Sequence, residues 1–124
     1  MSKDIAVVNL WDDATTVATT GAITASAVSQ HWSGGNCSLL IILAGSSPSV
    51  DITYTVGRSE YDTFRSPVDR DNNALGTIGS TVTATRWISF SPVVAPQIKI
   101  TVTGDGSNGA NTTVRAYLMF PEEF

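Results

Sequence analysis

Residues 86–120 read RWISFSPVVAPQIKITVTGDGSNGANTTVRAYLMF, and two segments within them alternate with a period of two. Across residues 97–103, Ile98, Ile100 and Val102 point one way while Gln97, Lys99, Thr101 and Thr103 point the other, the pattern of a strand with one buried face. Residues 112–120 repeat it, with Val114, Ala116, Leu118 and Phe120 on the apolar side. The intervening residues 104–111 are rich in Gly, Asp and Asn, which tolerate the positive φ of turns. The spacing predicts two strands joined as a hairpin.

Working outward, residues 5–11 form an apolar run with two valines that ends at Asp12 and Asp13, a turn-forming pair. Residues 14–29 are Thr-rich and lack the Leu, Glu and Lys content of a helix, so they predict two short strands or one bent strand. Residues 30–36 form a loop, and residues 37–44, CSLLIILA, are strand-sized and almost wholly apolar, which predicts a central strand covered on both faces. After a turn at 45–49, residues 50–56 alternate again and predict a second hairpin with 37–44. Residues 57–79 are irregular. Residues 80–90 return to strand, with Pro92 and Pro96 bracketing a crossover into the final pair. No segment has helical periodicity over a helix's length. The expectation is an all-β chain: one domain over residues 1–124, an antiparallel two-sheet β-sandwich of jelly-roll type with about seven or eight strands.

At 124 residues the chain suits a single core, and its 42% hydrophobic and 15% charged content leaves a neutral, hydroxyl-rich surface. Net charge is −4 and no Lys/Arg cluster occurs, which argues against a nucleic-acid partner. No run approaches the roughly 18 apolar residues of a membrane helix, so no membrane partner is expected. The start MSKDIAVV has no signal-peptide pattern, which predicts synthesis in a cytoplasm, and the single cysteine, Cys37, has no internal disulfide partner.

No catalytic site, cofactor or metal is expected. The sole histidine, His31, lies in a Gly/Ser loop without a nucleophile motif, and with Cys37 it falls short of the three or four ligands a zinc site needs. Residues 69–73, DRDNN, imitate the opening of a calcium loop, but Ala74 stands at the glycine position and Ser80 at the closing glutamate, which favours a polar turn. Long irregular connections in compact domains commonly carry function. The candidate partner-binding residues are therefore Arg58, Tyr61, Phe64, Arg65 and Arg70 in residues 57–79, joined by the loop aromatic Trp32 and by Phe124 at the end of an acidic tail.

The order W-I-S-F-S-P, A-P-Q-I-K-I-T-V-T-G, a Gly/Asn turn and T-V-R-A-Y-L-M-F, preceded by S-L-L-I-I-L-A-G-S-S-P-S-V-D-I-T-Y-T-V, resembles small β-sandwich virion proteins of tailed bacteriophages over about residues 37–120. The resemblance implies a non-enzymatic structural protein located in the virion. Such a protein is a decoration or cement protein on a capsid, or a tail accessory, bound to capsid or tail subunits as a homo-oligomer, with a trimer favoured. The alternative is a carbohydrate-binding or host-adhesion module of a tail fibre or surface appendage, using Trp32 and Tyr61.

Overall fold

The structure is a computed structural model that describes residues 3–30 and 36–123. Nine strands are seen among them: β1 (Lys3–Thr16), β2 (Ala22–Thr24), β3 (Val28–Ser29), β4 (Cys37–Ala44), β5 (Val50–Gly57), β6 (Thr77–Val82), β7 (Arg86–Phe90), β8 (Gln97–Gly104) and β9 (Thr113–Glu123). They form two antiparallel sheets. The first is ordered β1-β9-β4-β7; the second is ordered β2-β8-β5-β6, with β3 also paired to β8. The all-β, two-sheet sandwich is as the sequence implies, with a strand more than the expected upper count.

Both expected hairpins are absent as hairpins. β8 lies in the second sheet and β9 in the first, and the same holds for β5 and β4, so each connection is an arch that carries the chain across the core. Alternation reports that one face of a strand is buried; it does not report whether its neighbour in sequence lies beside it or opposite it. The inner residues of these strands accordingly face each other across the interior, Leu39, Ile41, Val114 and Leu118 from one sheet and Ile52, Ile98, Ile100 and Val102 from the other, all fully buried. Each such side chain contributes about 1.5–3 kcal/mol relative to exposure.

Three further expectations change. β1 does not stop at Asp12: the strand runs on to Thr16, and a register shift between Trp11 and Thr15 places Asp12 and Asp13 in an exposed bulge. Residues 80–90 are two strands in different sheets rather than one. β4 is central, between β9 and β7, but it is packed on one face only; Leu40 and Ile42 lie half-buried on the outer face. There Leu40 sits beside Tyr117 of β9 and Trp87 of β7, and Trp87 is largely exposed.

One end of the sandwich is closed from within by Asn108. Its side chain is buried; Oδ1 accepts the Ser49 N–H at 3.0 Å, and Nδ2 donates to the carbonyls of Val17 at 3.0 Å and Ala18 at 3.3 Å. A single residue thereby joins the connections after β1, before β5 and before β9. Ser49 Oγ donates to Asp105 Oδ2 at 2.6 Å and Gly109 N–H to the Ser47 carbonyl at 2.8 Å, tightening the same junction. The chain passes so closely here that a Cβ on Gly104 would overlap the carbonyl oxygens of Ala18 and Thr19.

Candidate functional site

The opposite end is built by the long connection from β5 to β6 and by residues 91–96. The long connection is folded by its own backbone. Val56 and Arg65 exchange N–H···O bonds of 2.9 and 3.0 Å, Leu75 N–H donates to the Pro67 carbonyl at 2.9 Å, and Tyr54 N–H donates to the Gly76 carbonyl at 2.8 Å. Two small turns result. In the first, Arg58 makes a forked ion pair with Asp62, Nε to Oδ2 at 3.1 Å and Nη2 to Oδ1 at 3.3 Å, and Asp62 Oδ2 also accepts the Arg58 N–H at 2.9 Å. The Arg58 guanidinium holds the Asp62 carboxyl well below the usual carboxylate range.

The second turn is residues 69–73. Asp69 Oδ1 accepts the N–H groups of Asp71 at 2.8 Å and Asn73 at 2.9 Å, Oδ2 accepts Asn73 Nδ2 at 3.1 Å, and Asn72 takes φ of 69°. Hydrogen bonds from Asn73, backbone first, lower the Asp69 pKa. The calcium-like residues are thus spent on an Asx turn, and among the described residues no three His, Cys, Asp or Glu side chains gather as a metal site.

A shallow cleft of about 570 Å³ lies between Val56, Gly57, Arg58, Asp62, Thr63 and Arg65 on one wall and residues 94–96 on the other. The second wall is anchored to the core, since the Tyr54 hydroxyl accepts the Val93 N–H at 3.0 Å and the Gln30 N–H donates to the Pro96 carbonyl at 2.9 Å. Val94 projects from it, 97% exposed. Of the two cleft arginines, Arg58 is engaged by Asp62, while Arg65 shows no ion pair among the described residues. A carboxylate or backbone carbonyl on a partner is the chemistry an exposed guanidinium of this kind accepts.

The structure thus brings Arg58 and Arg65 together in the cleft, with Tyr61 beside it in the same turn, 90% exposed. Phe64 behaves differently: its ring lies over Gly57, where a Cβ would approach Cζ to 3.1 Å, and Lys99 Nζ stands 4.4 Å from the ring centroid. It fixes the loop to the outer face of the second sheet. Arg70 is exposed in the 69–73 turn, and it does not line the cleft. Trp32 and Phe124 lie outside the described residues, as does His31. Sequence reasoning missed Val94, an aliphatic residue between prolines with no chemical motif. Cys37 is buried, and burial pushes its thiol up to about 12.

No protein-family model matches the chain, and no curated protein does. Among solved structures it is similar to the SPBc2 prophage-derived protein YomS, at 17% identity and a TM-score of 0.49 over 97% of this chain and 96% of that one. A likeness of that degree is too slight to carry a role from one protein to the other.

Proposed function

We propose that the protein is a non-enzymatic structural component of a phage virion that docks on capsid or tail subunits through the end formed by residues 57–65 and 94–96. The observation that carries the docking surface is the cleft itself: exposed Val94 and a guanidinium, Arg65, line it on a platform held to the sandwich by backbone bonds, and exposed Tyr61 lies between the cleft residues Arg58 and Asp62 in sequence. Aromatic and arginine side chains grouped this way suit a protein interface. The virion assignment is supported by the sequence resemblance over about residues 37–120.

The test is binding of the purified protein to capsids and, separately, to tails assembled without it. Saturable binding to one of them, weakened at least about tenfold by the triple change Tyr61→Ala, Arg65→Ala and Val94→Ser, is the expected outcome. Failure to bind either particle would sink the virion assignment, and binding untouched by the triple change would sink the cleft. The adhesion alternative has the open ring of Tyr61 in its favour, and it predicts a glycan-array signal that Tyr61→Ala abolishes.

A further inference from the structure

A two-sheet sandwich has exposed sheet edges, and three of those seen here are interrupted. β2 and β3 offer three and two residues along one side of β8. β6 meets β5 with two register shifts and carries Thr81 at φ of 51°. β7 has five residues, begins at an exposed Arg86 and is followed by Pro92. These are the features that keep sheet edges from recruiting further strands.

β1 has a charged start, Lys3 and Asp4, but none of the breaks over its first half. Lys3 to Asn9 run in unbroken register against β9, from Lys3 opposite Glu123 to Asn9 opposite Tyr117, before the shift that leads to the Asp12 and Asp13 bulge. Among the described residues no strand pairs with its other side. On the outer face of this free edge Ile5 is 65% and Val7 58% exposed. A straight, unpaired strand with adjacent exposed aliphatic side chains is a template for another strand.

The geometry points to a second copy of this chain as that strand, paired antiparallel β1 to β1 about a two-fold axis through Ala6. Residues opposed in an antiparallel pair point to the same face, so an allowed register opposes residues of equal parity. With the axis at Ala6, Ile5 faces Val7 of the partner subunit and Val7 faces Ile5 of the partner subunit, so each exposed aliphatic side chain finds an aliphatic neighbour. Lys3 and Asp4 fall opposite Asn9 and Val8 of the partner subunit, and no two like charges meet. Moving the axis to Ile5 sets Lys3 against Val7 of the partner subunit, and moving it to Val7 sets Ile5 against Asn9 of the partner subunit. Only the Ala6 register keeps all the outer aliphatic residues paired with one another. The contact is isologous and closes at two copies, unlike the trimer the resemblance implies, and it doubles the four-stranded sheet. It leaves the cleft free and does not depend on the docking role.

Sedimentation equilibrium of the full chain over a wide concentration range tests it, beside Val7→Lys and Ala6→Cys. A monomer–dimer equilibrium is expected, with Val7→Lys raising the dissociation constant at least about tenfold while leaving the far-ultraviolet spectrum in place, and the melting midpoint too at concentrations where both proteins are monomeric. Opposed antiparallel Cα atoms lie about 4.5–5.5 Å apart, within a disulfide's span. Ala6→Cys should therefore oxidise to a covalent dimer, whereas Thr24→Cys on the opposite sheet should not. A monomer at every concentration, an assembly indifferent to Val7→Lys in folded protein, or a folded Ala6→Cys that fails to cross-link would overturn the proposal.

Discussion

At one end of the sandwich Asn108 ties three connections together from the inside, whereas at the other the side chains that shape the 58–76 connection, beside its backbone bonds, are carboxylates that bond within their own turns. The bonds of Asn108 reach residues 59 and about 90 positions away in sequence; those of Asp62 and Asp69 reach at most four. Buried long-range bonds are lost only when the fold is lost, and exposed local ones leave a loop free to vary without disturbing the core. Stability is concentrated at the first end, and contact chemistry is available at the second.

The strongest way to break this contrast is Gly104→Ala. Its Cβ meets backbone oxygens rather than flexible side chains, so the 17–21 connection must shift; a loss of about 3 kcal/mol or more is expected in urea unfolding. Asn108→Ala leaves the Ser49 N–H and the Val17 carbonyl buried without their partner, and about 2–3 kcal/mol should be lost by the same measurement. A small effect in either variant would mean that the clamp is not what closes that end.

Acid should separate the ends further. The Ser49 hydrogen bond lowers the pKa of Asp105 as those of Arg58 and Asn73 lower the pKa values of Asp62 and Asp69. Each folded carboxyl is held below its unfolded value. The stabilisation is therefore complete above the ordinary carboxylate range and is lost as pH falls through that range towards the depressed folded values. Asp105→Asn should flatten the acid limb of the melting midpoint measured from pH 7 to 3 more than Asp69→Asn does, because the exposed turn that Asp69 holds opens without loss of the core. The reverse result would put the acid-sensitive junction in the loops.

Cys37 begins β4 at the loop end, opposite Phe90. Buried and with its pKa pushed up to about 12, it should stay silent towards Ellman's reagent at pH 8 until the protein unfolds globally. Labelling that outruns global unfolding would show that this end opens by itself. The smallest change in stability is expected from Tyr61→Ala, within about 0.5 kcal/mol, because the ring is almost wholly exposed.

The strands were legible because Val50 to Val56 and Gln97 to Thr103 alternate without error, and the observed burial follows the same period throughout β8 and in β5 as far as Thr55. Their pairing was not legible, since a strand beside its sequence neighbour and a strand opposite it bury the same side chains. The useful clue was length: eight residues, 105–112, separate β8 from β9, more than the two to five typical of a hairpin. The loop location of the candidate site was readable from irregularity and from Arg58, Tyr61 and Arg65. Phe64 was not readable as a brace, because its role depends on Gly57 beneath it and Lys99 above, residues brought together only by the fold. Asn108 looked like one more turn residue among Gly and Asn; nothing local marks it as the buried member.

The partnership of β1 with β9 also governs how the molecule is made. During synthesis the strand that begins at Lys3 leaves the ribosome before the neighbour that completes its ladder, because all the other strands lie between β1 and β9 in sequence. With consecutive strands β4 and β5, and β8 and β9, divided between sheets, few early local pairings can hold the nascent chain in the meantime. Ile5 and Val7 then stay on an unpaired segment until β9 has been made, which makes nascent-chain shielding by chaperones and slow closure of this sheet the expected route to the native sandwich.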